Sequence, residues 1–561
     1  MKSTTPILIV LCLLVQGLSA QNAPESPSES VEMTVFADQI TGELKPIWNW
    51  FGYDEANLTF HPEGIKLLKE IAEIEDEPAK IRVHHLLTSG DAETWLKWSS
   101  TNAYSENASG SPNYDWSTLD LIFDTYREIG VEPYVQIGFM PKALSALQDP
   151  YTPKPVYYGP AKGMVQGGAF HPPASLEKWS GFIKDWVRHC QKRYGKKVVR
   201  QWYWELWNEP NGGYWKGTWE EFFELYSVTA EAVKSVDAEI RFGGPHITNT
   251  TYAEGGEFLR QFLAYCYEKK APLDFIAFHV KGGTSWETDH VKMNAGNQLK
   301  LFQSAMDIIS EFPEFKELPM VIGESDPDGC AACTASLYPQ NRYRNGAQFA
   351  SWAASTFLRK QALAEENGMT LDGAISWSFT FPGQPWFDGF RSLSTNGVPK
   401  PVFNAFRAMG KLRNLQLETS NIHRRSLADI MENGFADTPD VELVATKNEA
   451  GDVSILLWHY HDEDLDSAAV DVKLSMEGLN EGNYEMRHYR VDDDHSNAYT
   501  SWKAMGSPQA PSPSQIKQLE LDSELTLIEQ TRQVSELEKP FELNLSMPRQ
   551  SISVIELKRV E

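Results

Sequence analysis

The chain has 561 residues, with 51 Lys and Arg against 77 Asp and Glu and a formal net charge of −26. So acidic a chain is repelled by phosphate backbones and anionic lipid surfaces, which argues against a nucleic-acid partner. Its length exceeds what one hydrophobic core serves, so a large domain with a smaller companion is expected.

Met1 and Lys2 precede the apolar run "PILIVLCLLV", then "QGLSA" and polar residues. This pattern predicts a signal peptide over residues 1–20, cut after Ala20 or after Ser19. A secreted or periplasmic chain is the expectation. No later apolar run approaches the ~18 residues needed to span a bilayer, so no membrane insertion is expected. Residues 21–45 hold one strand-like stretch, "VEMTVFADQ" from Val31, which should join the C-terminal sheet.

Residues 46–412 carry eight β-like runs alternating with helical stretches. The runs are "PIWNWFGY", "KIRVHHLLT", "EPYVQIGFMP", "VRQWYWELWNEP", "IRFGGPHI", "LDFIAFHVKG", "LPMVIGES" and "GAISWSFTF". Between them, segments such as "WSTLDLIFDTYREIG" repeat apolar residues three or four apart, the helical period. Strand then helix, eight times over, predicts an α/β fold, the (β/α)8 TIM barrel. From 413 to 561 the texture becomes strand-like alternation, as in "AAVDVKLSMEGL" and "SISVIELKRV", which predicts a β-sandwich domain. Apart from short "PSPS" pieces there is no low-complexity tract.

With the leader removed, Cys190, Cys266, Cys330 and Cys333 remain. "CAAC" lacks the second pair of a structural zinc site, so a loop disulfide or plain thiols are favoured over metal or redox use.

Barrel enzymes work at the C-terminal ends of their strands. Two glutamates stand there: Glu209 at the end of run four and Glu324 at the end of run seven. Trp202, Trp204, Trp207 and Trp215 crowd around Glu209 with two tyrosines, and flat apolar rings beside a carboxylate suit a sugar. Two carboxyl groups ~5–5.5 Å apart are what retaining glycoside hydrolysis needs, one to protonate the leaving oxygen and one to attack the anomeric carbon. One must keep its proton while the other stays ionised.

On "WNEP" in run four and a second glutamate ending run seven, the chain resembles the clan A glycoside hydrolases. More closely it resembles glycoside hydrolase family 39, the family of β-xylosidases and α-L-iduronidases. The similarity spans essentially the whole mature chain, including "WNEPN", "FHVKG", "IGESDPDGCAAC", "QPWFDGFRSLSTNG" and "DHSNAYTSWKAMGSPQAPSPSQI". It implies that Glu209 is the acid/base and Glu324 the nucleophile. Asn208 is expected on the sugar 2-hydroxyl, and His279 on sugar or a catalytic carboxylate. Of the adjacent His84 and His85 only one can face the mouth, and His84 is favoured. Trp377 is expected as the floor. Phe139, in "YVQIGFMP", and Asp388, in "QPWFDGFRSLSTNG", complete the candidate substrate-binding set. No metal or organic cofactor is expected, and the partner is an oligosaccharide or polysaccharide.

The substrate has two readings. A secreted retaining exo-glycosidase acting as a β-xylosidase comes first. The alternative is an α-L-iduronidase-like hydrolase of an acidic, uronic or sulfated sugar, because Lys281 matches a lysine that the iduronidase branch uses for the sugar carboxylate. Against it, Lys281 can pair with Asp326 or Asp388. A carbohydrate-binding protein without catalysis is the alternative of another class, and the two glutamates argue against it.

Overall fold

A computed structural model describes residues 30–151, 167–378, 383–435, 439–535 and 540–560. The expected leader lies outside the described residues. Eight strands form a closed parallel barrel: Trp50–Tyr53, Lys80–Val83, Glu132–Ile137, Tyr203–Leu206, Arg241–Ile247, Phe275–His279, Met320–Glu324 and Leu371–Trp377. They pair in chain order, and the eighth closes on the first with Ile375 opposite Trp50. Seven lie inside the apolar runs and the eighth begins two residues ahead of its own, so the (β/α)8 fold expected from the sequence is the fold observed.

The strands are shorter than the runs that announced them, because local turn chemistry trims the ends. Asn49 donates to the Pro46 carbonyl at 2.9 Å, which holds the start of the first run in a turn. The fourth strand stops at Leu206, before Pro210 is reached. Trp207 and Glu209 take positive φ values of 69° and 46°, a region that non-glycine residues seldom occupy. The chain is thereby turned so that Glu209 comes back over the barrel mouth, where its N–H donates to the His246 carbonyl at 2.9 Å.

The helices obey the expected period. Ser117–Ile129 ends at Gly130 with φ 94°, and Leu176–Tyr194 starts from Ser175, whose hydroxyl accepts from the Lys178 N–H. Such caps satisfy backbone groups that a helix end leaves orphaned.

Nine of the other strands make one sheet, curled over its own apolar core as a β-sandwich, and three two-stranded ribbons lie apart from it. Val31–Glu43 lies inside it, antiparallel to Leu415–Asn421 and parallel to Val470–Glu477. Two helices, Ala498–Ala504 and Pro513–Asp522, lie between its strands Gly482–Val491 and Thr526–Ser535. The second starts within the "PSPS" stretch: Ser512 caps it, Pro513 takes its first turn, and Gln515 returns the capping bond. What looked like low complexity is a helix start. Tyr499, Trp502 and Leu519 from these helices pack on Trp386, Phe387 and Val398, in the loop after barrel strand eight.

A buried ion pair joins barrel helix Ala347–Glu366 to the sheet. Arg359 donates to Asp440 Oδ2 at 2.6 Å, and the same carboxylate accepts from Ser355 Oγ at 2.8 Å and Trp458 Nε1 at 2.6 Å. Removing one partner of a buried pair strands the other charge, at a cost of about 3–5 kcal/mol. Asp440→Ala should therefore lower the urea midpoint of unfolding by that much stability, whereas the exposed Arg188–Asp185 pair should be worth at most ~1 kcal/mol. Equal midpoints for the two variants would show that Asp440 does not hold this junction.

Candidate active site

Glu324 is the last residue of strand seven and only 6% exposed. An isolated carboxylate there would be costly, and the sequence surrounds it with cations. Lys281 Nζ donates to Oε2 at 2.6 Å, Arg391 Nη2 lies 3.6 Å from the same oxygen, and Arg82 Nη1 lies 3.8 Å from Oε1. Burial pushes Glu324 upward, but Lys281 above all, joined by Arg391, outweighs it and holds the carboxyl well below the usual range. Burial and Arg391 in turn weaken the proton affinity of Lys281, so its ammonium depends on Glu324.

Glu209 is the more exposed of the two, its side chain 21% accessible. Its Oε1 lies 2.9 Å from His279 Nδ1, and the same nitrogen is 3.8 Å from Glu324 Oε1. One oxygen of Glu209, one of Glu324 and a nitrogen of His279 all lie within 4.8 Å of one another. By position this trio could ligate a metal ion. Lys281 already occupies one Glu324 oxygen, and a dication beside it would meet that ammonium, so the charge pattern suits a cation-free site better.

Behind the pair stand residues from strands one, two, four and eight. Asp54 accepts from Trp377 Nε1 at 3.1 Å, bonds His84 Nδ1 at 2.8 Å and lies 3.3 Å from Lys97 Nζ. Burial raises Asp54, but Lys97 and His84 overcome it and keep the carboxylate ionised. The Trp377 ring sits 4.9 Å from that of His84. Arg82 donates to Glu205 Oε1 at 2.7 Å and to Asn208 Oδ1 at 3.0 Å, and its Nη1 lies 2.9 Å from His84 Nε2. Asn208 Nδ2 is buried and has no hydrogen-bond partner among the described residues. A buried amide left unpaired is expensive, so it marks a place where a ligand acceptor belongs.

The structure thus gathers Glu209, Glu324, Asn208, His84, His279, Lys281 and Trp377 at one mouth. His85 turns away with φ 65° and packs against Trp98 and Phe139. Two candidates are corrected. Phe139 is fully buried and stacks on Tyr214 at 5.6 Å, so it buttresses the wall and has no surface to offer a sugar. Asp388 accepts from the Ser336 N–H at 3.2 Å and its hydroxyl at 3.0 Å, tying two loops together. It does not pair with Lys281. Asp326 serves Ser376 at 2.7 Å, the Trp377 N–H at 3.0 Å and Arg391 at 3.2 Å, and the direct partner of Lys281 is Glu324 itself.

Asp54, Arg82, Lys97, Glu205, His246 and Arg391 were missed. Arg82 and Glu205 did leave a signal: each is a charge inside an apolar strand, spaced two from His84 and between Trp204 and Leu206. Cys330 and Cys333 form a disulfide in the loop after strand seven, and Cys190 and Cys266 are free and buried.

A family model described as glycosyl hydrolases family 39 matches residues 32–535. A β-xylosidase of Geobacillus stearothermophilus is 27% identical over 466 residues, covering 80% of this chain and 81% of that one. A β-xylosidase of Caldicellulosiruptor saccharolyticus is 29% identical over 431 residues, covering 75% and 78%. An α-L-iduronidase of Mus musculus is 22% identical over 378 residues, covering 61% and 56%. Among solved structures, a monomeric β-xylosidase from Caulobacter crescentus CB15 has a TM-score of 0.73 at 20% identity, over 94% of this chain and 100% of that one. At that identity the likeness is one of fold. The family match runs through both the barrel and the sheet, and on it the chain belongs to glycoside hydrolase family 39 and is a glycoside hydrolase.

Proposed function

We propose that this glycoside hydrolase is a retaining β-xylosidase, with Glu209 as acid/base and Glu324 as nucleophile. The observation that carries the reading is the approach of the two carboxylates, with oxygens within 4.8 Å, in opposite surroundings. Inverting enzymes hold their carboxyl groups ~6.5–9.5 Å apart to admit a water between them. Glu324, buried among cations, is kept ionised and suits attack on the anomeric carbon. Glu209, more open and beside a histidine, suits protonation of the departing oxygen. Once Glu324 carries the glycosyl group it has no charge, and Glu209, now the base, takes a proton from the water that releases the sugar. Asn208 Nδ2 supplies the donor for a sugar hydroxyl.

A neutral sugar is favoured over a uronate by the charge pattern. Among the described residues at the mouth, Arg82, Lys97, Lys281 and Arg391 each already face a protein carboxylate. A sugar carboxylate would have to displace Glu324 from Lys281, and so disarm the proposed nucleophile. The β-xylosidase relatives also match a larger share of this chain than the mouse iduronidase does. Export through the expected leader is part of the proposal, and the Cys330–Cys333 disulfide suits an oxidising compartment.

The two roles have separable signatures. Glu324→Ala should abolish turnover of aryl β-xylosides. Glu209→Ala should lose ~10²–10⁴-fold on poor leaving groups, keep much of its rate on activated aryl glycosides, and be rescued by azide with a β-configured product. An early NMR time course of the wild type should show the released sugar in its original anomeric form. An inverted first product would sink the covalent mechanism, and β-azide from the Glu324 variant with α-azide from the Glu209 variant would exchange the roles.

Lys281→Met tests both charge and substrate. Glu324 is active as the carboxylate, so activity is lost as pH falls through its protonation range. Removing the ammonium raises that range, and the acidic limb of kcat/KM for a xyloside should move to higher pH. The ratio of uronide to xyloside activity should stay unchanged. A selective loss on the uronide, of about ten- to hundred-fold, would instead favour the acidic substrate.

A further inference from the structure

Beneath the two glutamates runs a file of buried groups that the chemistry above does not use. His279 Nε2 lies 3.3 Å from His246 Nδ1, and His246 Nε2 contacts Glu205 Oε2 and lies 2.7 Å from the Tyr134 hydroxyl. Glu205, His246, Tyr134 and His279 are at most 1% exposed. From the other side, Arg82 Nε donates to Glu205 Oε1 at 2.7 Å. Room for the His246 ring is made by Gly323, one residue before Glu324: a Cβ there would lie 2.2 Å from His246 Nδ1. Any side chain at 323 would drive the imidazole out of line.

We propose that Glu205 and His246 are positioning residues that fix the direction of this hydrogen-bond file, so that His279 presents an acceptor to Glu209 and the proton rests on Glu209 between turnovers. The inference rests on the assignment of Glu209 as acid/base. Its logic is donor counting. An ionised Glu205 can only accept, so His246 must carry its proton on Nε2, and the Tyr134 hydroxyl can accept from that N–H while giving its own proton to Glu205. A neutral His246 then has a bare Nδ1, which accepts from His279 Nε2–H. With His279 neutral as well, which the proposal includes, a bare Nδ1 faces Glu209 Oε1 at 2.9 Å, and the bond then forms only if Glu209 is the donor.

The groups behind His279 support that direction, and in front of it Glu324 Oε1 lies 3.8 Å from the same Nδ1, beyond hydrogen-bond reach. Burial raises Glu205, but Arg82 and His246 bring it down to about 2, so it is a carboxylate. Burial, with Arg82 opposing Glu205, pushes the His246 imidazole down to about 3, so it is neutral. Tyr134 is raised by burial and stays a phenol. Glu324 and Lys281 meet each other beyond His279 and leave its Nε2 to His246.

The full chain carrying Glu205→Gln provides the test. The amide can donate to His246 Nε2, which reverses the file and turns His279 Nδ1–H toward Glu209, favouring its ionised form. The alkaline limb of kcat/KM on aryl xylosides with poor leaving groups should move down by about one pH unit or more. With leaving groups that need no protonation the limb should weaken. Should the variant not fold, imidazole ¹⁵N spectra of the wild type decide: His246 and His279 should both be neutral Nε2–H tautomers from about pH 5 to 8. An alkaline limb coincident with wild type, or an Nδ1–H tautomer at His279, would overturn the proposal. A wild-type protein inert on all aryl glycosides would instead remove the acid/base assignment, an outcome distinct from either.

Discussion

A guanidinium with no access to solvent holds this active site together. Arg82 is 0% exposed and reaches Glu205, Asn208, His84 and, at longer range, Glu324. Burying a cation costs several kcal/mol unless its hydrogen bonds and charge are met, so each of those partners is constrained as much as it constrains. The planar fork explains why arginine stands there: one nitrogen for each of three side chains, in fixed directions, which an ammonium could not supply. Fixing Asn208 by its oxygen aims its unpaired amide into the mouth. Fixing Glu205 as an anion sets the histidines above it.

The second support comes from outside the barrel. Arg391, which faces Glu324 and Asp326, belongs to the loop after strand eight, and its N–H donates to the Ala331 carbonyl at 2.9 Å. That loop is braced on one side by the disulfide loop through Arg344, whose Nη1 reaches the carbonyls of Gly389 at 2.9 Å and Cys333 at 3.0 Å. On the other side Trp386 and Phe387 rest on Trp502 and Tyr499 of the helices inserted into the sheet. The β-sandwich domain is therefore a buttress of the mouth, through ring packing and the Trp386 N–H, which donates to Gln509 Oε1 at 2.9 Å.

The barrel was legible because its signal is periodic and repeated: eight short apolar runs with helical stretches between them leave few other folds. Glu209 and Glu324 stood out in the sequence because strand ends are where this fold exposes chemistry, and the structure brings an oxygen of each within 4.8 Å of the other. What could not be read were relations between strands. Arg82, Glu205 and His246 lie far apart in sequence, and only closure of the barrel makes them one network. The positive φ at Trp207 was hidden as well, since tryptophan carries no turn propensity and the conformation is imposed by packing of its indole, whose Nε1 reaches the Tyr214 carbonyl at 2.7 Å. Phe139 and Asp388 were misjudged for the opposite reason: each sits in a segment that resembles the family, yet the side chain of one is turned into the wall and that of the other into a loop junction.

Lys281 shows how position and role can separate. The residue lies where an acidic sugar could be recognised, but a lysine in a buried site takes whatever anion is fixed nearest to it. Here that anion is Glu324, at 2.6 Å. The pairing gives the ammonium a task that does not depend on the substrate: it keeps a carboxylate ionised in surroundings that would otherwise protonate it. One cation cannot compensate Glu324 fully and also neutralise a substrate carboxylate, because a shared charge serves each anion less well than a private one. An enzyme of this architecture adapted to uronides would need a further unpaired cation at the mouth. Among the described residues, Arg82, Lys97 and Arg391 each face a protein carboxylate just as Lys281 does, and the neutral pyranose proposed as substrate asks nothing of them.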